Sequence, residues 1–396
     1  MDYGTTPELA EFRAQVRRWV EDNKPPIVPK AGVRSAENAE ELTTLKEWTR
    51  KLFAAGYIGA SWPERYGGEG PAYSSEKDVV INEELARACT PATVQGAADL
   101  VANALIDFGT EQQRGQYLPG IRSGELIFCQ LFSEPSSGSD LASLRTKAVP
   151  TQDGVFRVTG QKVWTTNGHW ADYGYLLART DPNAPKHKGI SAFIVDMRLP
   201  GIDVRPLREM TGTSDFNEIF LDDVELGPDA LIGELGQGWI IANSSLGHER
   251  SGVANTAVRL RRNVEALKEL ARNVLRDGRP AIEDRGVQDR LGELDASVAA
   301  LSALVYANLS RWSRNAERVH DAPMVKLMFS EIGVELARFA LDLSGEAGIL
   351  TEDDPGAVDR GRWQDEFLYA RAFTIAGGSS EIMRNIIAER GLGMPR

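Results

Sequence analysis

The sequence predicts an α+β protein in three successive parts: a helical domain over residues 1–125, a central antiparallel β domain over 126–236 and a helical bundle over 237–396. Three observations predict it. Apolar residues recur at three- and four-residue spacing up to about Arg122, short β-branched and aromatic segments follow from about Leu126, and long helical periods resume after Gln237. At 396 residues the chain also exceeds what one hydrophobic core supports, so several packed units are expected.

In the first part, the segments Glu8 to Val20, Asn38 to Ala55 and Ser75 to Ala88 carry the helical spacing, and Gly and Pro punctuate the intervals. Trp62-Pro63-Glu64-Arg65-Tyr66-Gly67-Gly68, with Pro71 close behind, reads as a loop. In the second part, Gly154 to Trp164, Tyr173 to Arg179, Gly189 to Asp196 and Asn217 to Val224 are bounded by Gly, Pro and Asp and read as strands of an antiparallel barrel or sandwich. No strand–helix alternation is present and no G-x-G-x-x-G opens a helix after a strand, so a nucleotide cofactor would be held by something other than a Rossmann domain. The last part breaks at Gly278-Arg279-Pro280, His320 to Pro323 and Thr351 to Gly356.

Composition narrows the function classes. Hydrophobic residues make up 42% and charged residues 26%, as in an ordinary globular enzyme. A net charge of -12 leaves no broad basic field for nucleic acid or an acidic membrane, and the run Arg259 to Arg262 reads as a solvated helix face. Two cysteines, Cys89 and Cys129, make no disulfide framework, and four scattered histidines give no zinc spacing, so an intracellular, cytoplasmic and metal-free protein is expected. The polar stretch Met1 to Glu11 predicts neither a secretory signal nor a transit peptide, and no apolar run is long enough to insert in a membrane.

Four places carry candidate chemistry. The densest is Gln130-Leu131-Phe132-Ser133-Glu134-Pro135-Ser136-Ser137-Gly138-Ser139-Asp140, which reads either as a surface loop of Asx and Ser turns or as a backbone-rich cradle for a polyanionic ligand. Gly160-Gln161-Lys162-Val163-Trp164-Thr165-Thr166-Asn167-Gly168 ends a strand with an aromatic and two hydroxyls; Trp164 there is either core or functional. On the helical stripe Leu246, Val253, Ala257, Leu260, Val264, Leu267, Ala271 and Val274, the same spacing puts Arg250 on the apolar face and Glu249 at its edge. Such charges are either a structural ion pair or functional. Finally, Gly377-Gly378-Ser379-Ser380-Glu381 precedes Ile382, Ile386 and Ile387, giving either a plain turn with an N-cap or a helix start open to an anion.

Taken in order, these segments resemble the acyl-CoA dehydrogenase family over nearly the whole chain. Trp62 to Gly68 with Glu83-Glu84-Leu85-Ala86-Arg87 is similar to the family's opening, Phe132 to Ser143 to its first signature, and Gly377 to Gly391 to its last. The resemblance implies a helical domain, a β-barrel-like domain and a four-helix C-terminal domain, with FAD between the β domain and the helices and partly contacted by a neighbouring subunit. It implies that Gln130, Phe132 and Ser133 meet the flavin, that Trp164 and Thr166 flank its ring system, and that Gly378, Ser379 and Glu381 also contact FAD. Ser139 would meet FAD or the acyl-CoA, and Gly247, His248, Arg250 and Gly377 would line the substrate's place.

The sequence also departs from the family. Ser136 and Ser137 replace a commoner Gly-Ala pair, Arg276 to Pro280 does not match the Arg-x-x-Phe-Gly stretch, and Asp342 to Gly348 matches Gln-x-x-Gly-Gly-x-Gly only loosely. Where many members carry a catalytic Glu this chain has Gly377, whereas Glu249-Arg250 is similar to the pair that isovaleryl- and long-chain-type members place on the first helix of the last domain. The expected reaction is therefore FAD-dependent α,β-dehydrogenation of an acyl-CoA thioester, as in fatty-acid β-oxidation, with Glu249 as base. Expected partners are an electron-transfer flavoprotein as acceptor and other subunits in a homotetramer or a mixed tetramer with a paralogue. The alternative is a non-catalytic or FAD-sharing subunit of such a mixed tetramer.

Overall fold

A computed structural model describes residues 6–395 except 28, 33, 71, 72, 95, 96, 248–252, 313, 315 and 353, with backbone alone at 75, 246, 247, 253 and 254. In chain order the helices are α1 (Pro7–Asn23), α2 (Ala39–Ala54), α3 (Ser75–Arg87), α4 (Ala98–Phe108) and α5 (Glu111–Ser123). Strands β1 (Phe128–Leu131), β2 (Lys147–Pro150), β3 (Phe156–Lys162), β4 (Tyr173–Arg179), β5 (Ile190–Asp196), β6 (Ile202–Leu207), β7 (Phe216–Leu226) and β8 (Leu231–Ile232) follow. Then come α6 (Gly238–Gly247), α7 (Val253–Asn273), the ribbon β9 (Leu275–Arg276) and β10 (Arg279–Pro280), α8 (Arg285–Trp312), α9 (Asp321–Ser344), α10 (Arg362–Ile375) and α11 (Ser380–Asn385). The helical, then β, then helical order predicted from periodicity is the order observed.

Local chemistry explains the boundaries. Thr6 and Asn38 cap α1 and α2 by accepting from Leu9 N–H and Glu41 N–H. Thr110 and Gln113 form a reciprocal capping box at α5, and Gly124 ends that helix at φ 75. The Gln113 side chain is used twice, since its amide also donates to the carbonyls of Asp229 and Leu231 at 2.8 Å each.

The chain forms two compact units. One comprises Met1–Gly32, Ser75–Thr90 and Arg250–Arg396, and the other Val33–Ser74 and Pro91–Glu249. In the second, the sheet runs β6-β7-β3-β2-β4-β5-β8 with β1 added on β4. Its pairings are antiparallel except β1 with β4 and the single pair of β2 with β4. Strands β4 and β5 are covered on both faces, which is why they read as unbroken apolar runs. Alternation sorts their side chains: Tyr175, Leu177, Ala192 and Ile194 join the core with α4 and α5, whereas Leu176, Ala178, Phe193 and Val195 join Phe156, Val158 and Ile219. The β3–β7 register shifts between Val158 and Gly160, where a Cβ on Gly160 would stand 2.4 Å from Thr146 Oγ1.

In the first unit, α7, α8 and α9 bury Leu260, Val264, Leu267, Leu294, Val298, Leu301, Leu336 and Ala340 with Trp363 of α10. Helices α1 and α3 pack against each other and α3 against α7. Their contact holds the carboxylates Glu83 and Glu84 of the motif Glu83-Glu84-Leu85-Ala86-Arg87. Glu84, 1% exposed, accepts from Arg17 at 2.9 and 3.0 Å, Arg13 at 3.2 Å and Arg87 at 2.7 Å. Glu83 accepts from the Tyr306 hydroxyl at 2.5 Å and pairs with Arg13 at 2.6 Å. Among the described residues no helix is long and apolar enough to cross a membrane.

Candidate functional site

The Ser-rich segment leaves β1 and turns at once: Glu134 and Ser137 exchange both backbone hydrogen bonds at 3.0 Å, and Ser137 Oγ donates to Asp140 O at 2.8 Å. Phe132 is buried edge-on against Tyr175, with ring centroids 5.0 Å apart. The Glu134 carboxylate turns inward and accepts from Arg145 N–H at 2.6 Å, Thr146 N–H at 2.8 Å and Lys162 Nζ at 2.9 Å. Lys162, 0% exposed at the end of β3, donates to Phe132 O as well, at 3.0 Å. Burial pushes its ammonium down to about 8 against the pull of Glu134. Burial also works to raise the Glu134 carboxyl, but Lys162 and the hydrogen bonds from Thr146 and Arg145 outweigh it and hold it below the usual carboxylate range.

The next residue, Val163, donates its N–H to Ser133 O at 2.9 Å, so the segments 130–133 and 163–166 are bound side by side. Trp164 then takes φ 60, a left-handed conformation that ordinary side chains avoid, and its indole stays 61% exposed with its edge on Phe216 at 5.9 Å. Thr165 is buried and pinned to Asn217, their backbones exchanging bonds at 3.1 and 3.0 Å and the Asn217 amide donating to Thr165 O at 2.9 Å. Asn167, also left-handed at φ 60, accepts from Ser35 Oγ at 2.6 Å. Asp215, bonded to Arg34 at 2.9 Å and to Ser35 N–H at 2.7 Å, closes this support from the other side. The backbone around Trp164 and Thr166 is thus tied down on both flanks.

What this rigid frame presents is unspent. Among the described residues the side chains of Gln130, Ser133, Ser136, Ser139 and Thr166 make no hydrogen bond, and neither do the backbone N–H groups of Ser133 and Thr166. Three of these polar side chains with free capacity, Gln130, Ser133 and Thr166, lie in the two segments that meet beside an exposed indole, an arrangement suited to a flat, heteroatom-rich ligand such as a flavin. The structure therefore brings Gln130, Phe132, Ser133, Trp164 and Thr166 onto two hydrogen-bonded segments, while Ser139 lies exposed at the far end of the turn.

The last signature belongs to the other unit. Gly377 and Gly378 take φ 66 and 94, Ser379 caps α11 by accepting from Ile382 N–H, and the Lys326 ammonium donates to Gly378 O. Among the described residues the N–H groups of Gly377 and Gly378 have no partner. A Cβ built on Gly377 meets nothing within 4 Å, whereas one on Gly378 would overlap the Met383 methyl at 2.4 Å. Glu381 is exposed, and hydrogen bonds from its own N–H and from Ser379 hold its carboxyl below the usual range. Gly247 ends α6, and His248, Glu249 and Arg250 lie outside the described residues.

Glu134 and Lys162 stand inside sequence motifs that mark neither of them as a site residue, and Arg34, Ser35 and Asp215 stand outside those motifs. The available signal was weak: one lysine in a strand of alternating apolar residues, with its partner 28 residues earlier.

Compared with known proteins, the chain matches three consecutive family patterns. They are described as the acyl-CoA dehydrogenase N-terminal domain over residues 6–125, middle domain over 129–224 and C-terminal domain over 236–392. It is 36% identical to "Acyl-CoA dehydrogenase IpdE1" of Mycobacterium tuberculosis, covering 98% of each chain. Among solved structures it superposes on "Tcur3481-Tcur3483 steroid ACAD" with a TM-score of 0.88 at 31% identity, and on the ChsE4-ChsE5 complex from Mycobacterium tuberculosis with 0.85 at 30%, covering 100% of both chains in each case.

Proposed function

We propose, from the premise that this chain belongs to the acyl-CoA dehydrogenase family, that it oxidises the α,β bond of an acyl-CoA thioester to the 2-enoyl-CoA. The observation that carries the reading is the ordered match of all three family segments along the chain. The exposed indole of Trp164 among unspent hydrogen-bonding groups adds physical support.

FAD, as cofactor, supplies a two-electron acceptor for the β hydrogen. Gln130, Phe132, Ser133, Trp164 and Thr166 would hold it, and the buried bonds beneath them would keep that surface in place without reorganisation. Ser139, Gly378, Ser379 and Glu381 are carried over from the resemblance as further contacts. Glu249 would take the α proton, with Arg250 orienting its carboxylate, and Gly247, the last residue of α6, and His248 would flank the acyl group. The unpartnered Gly377 N–H offers the thioester carbonyl oxygen a hydrogen bond that strengthens as negative charge develops there.

The acyl group we infer is bulky, branched or polycyclic. The open space at the Gly377 Cβ position leaves out a side chain that would restrict it, and the similar Tcur3481-Tcur3483 protein is a steroid ACAD. Anaerobic titration followed in the visible flavin band tests both parts. Polycyclic side-chain thioesters are expected to bleach the band at lower concentration than short straight-chain ones. A preference for short straight chains would refute the acyl assignment, and no bleaching by any thioester would refute the reaction.

A mixed assembly is a second reading, favoured because the similar ChsE4-ChsE5 structure is a complex and the similar Tcur3481-Tcur3483 steroid ACAD likewise carries a two-part name. The chain would then pair with a paralogue in a tetramer, share FAD with it, and pass electrons to an electron-transfer flavoprotein in the cytoplasm. Fewer than one FAD per copy of this chain, in a complex with a co-purified second chain, is the result expected of that arrangement. Full FAD occupancy in a homotetramer would exclude it.

A further inference from the structure

We propose that Lys162 and Glu134 are positioning residues for the flavin: a buried ionic clasp that sets the spacing between the segment 130–133 and the segment 163–166. The inference rests on the flavoprotein reading above and goes beyond it by naming buried residues other than those that would meet the flavin. Four pieces of chain meet at this one pair. The ammonium bonds Phe132 O at 3.0 Å and Glu134 at 2.9 Å, and the carboxylate also takes the N–H groups of Arg145 at 2.6 Å and Thr146 at 2.8 Å. These residues lie at the end of β1, in the turn that follows it, at the approach to β2 and at the end of β3.

Stability alone is a poor reason for such a pair. Both groups are withdrawn from water, Lys162 at 0% and Glu134 at 6% exposure, and the desolvation cost of a buried ion pair commonly cancels its attraction. An apolar residue at position 162 would fill the same core-facing place beside Ile219 on β7. What an apolar side chain could not do is fix the carbonyl of Phe132 from below. That carbonyl precedes Ser133, whose own carbonyl receives Val163 N–H at 2.9 Å, immediately before the left-handed Trp164. The clasp therefore lies one residue from each free group that the frame presents at Ser133 and two from Trp164. Its removal lets the two segments slide relative to each other while the rest of the sheet register survives through β3–β7 pairing.

The test uses the full-length protein, with FAD itself as the probe. Wild-type protein is stripped of FAD and retitrated, reading flavin fluorescence, the shape of the visible band and the melting temperature of each apo form. Lys162→Met is compared with Val158→Ala, a truncation in the same strand that leaves the clasp intact. The expected result is FAD binding at least tenfold weaker for Lys162→Met, with a shifted visible band, while Val158→Ala of equal or lower melting temperature binds within twofold of wild type. If Lys162→Met does not fold, Glu134→Gln, which keeps the side-chain volume, is expected to show the same weakening and band shift. Binding within twofold of wild type in the folded lysine or glutamate variant, or equal weakening in Val158→Ala, would overturn the positioning role. A wild-type protein that takes up no FAD would overturn the flavoprotein reading instead, so the two failures are told apart.

Discussion

Glu249→Gln is expected to lower turnover by about 10²- to 10⁴-fold, which corresponds to roughly 3 to 5 kcal/mol of transition-state stabilisation. The substitution keeps the volume while removing the negative charge that accepts the α proton, so the protein should still fold and FAD content should match wild type. The prediction rests on the chain's periodicity and family membership, because residue 249 lies outside the described residues. Gly377 cannot supply a base, and the nearest carboxylate in the last signature, Glu381, follows the cap residue of α11. A base is nonetheless required, since the α proton of a thioester is too weakly acidic to leave unaided. Stopped-flow reduction of the flavin by a saturated thioester isolates this step from later electron transfer. Undiminished reduction in Glu249→Gln would remove Glu249 from the mechanism and leave the second chain of a mixed assembly as the source of the base.

Much of the fold was legible because the relevant signals are local. The switch from a 3.6-residue to a 2-residue apolar period near Leu126 marks the entry to the sheet, and runs such as Tyr175 to Ala178 announce a strand covered on both faces. The helix starts at Thr6, Asn38 and Thr110 carry their capping chemistry within three residues. Long-range pairings were not legible. Nothing local says that β1 lies parallel on β4, or that α1 and α3 form one compact unit with residues 250–396. The same distinction governs the site. Gln130, Phe132, Ser133, Trp164 and Thr166 stand in recognisable runs, but Glu134 and Lys162, or Ser35 and Asn167, acquire meaning only when segments distant in sequence meet. Left-handed Trp164 and Asn167 add a further hidden feature, since neither residue type demands a positive φ.

Glu84→Gln is expected to destabilise the unit built on α1, α3 and α7 by about 2–3 kcal/mol at neutral pH, and that loss should vanish in acid. Burial works to raise the Glu84 carboxyl, but the hydrogen bonds from Arg17, Arg87 and Arg13 win and hold it at about 2, against an ordinary value of 4.5. Between those values the unfolded chain binds a proton that the folded chain refuses. The stabilisation is therefore complete above about pH 4.5 and disappears as pH falls toward 2. The magnitude is kept at the lower end because the Arg17 and Arg87 side chains remain 46% and 38% exposed, so water screens part of the attraction. Glutamine keeps the shape and can still accept from one guanidinium, but it leaves the remaining arginines facing each other without the anion between them. Urea midpoints of wild type and Glu84→Gln at pH 7, 4 and 3 should converge as pH is lowered. A gap at pH 3 equal to that at pH 7 would mean that Glu84 stabilises these helices through packing, with its charge contributing nothing.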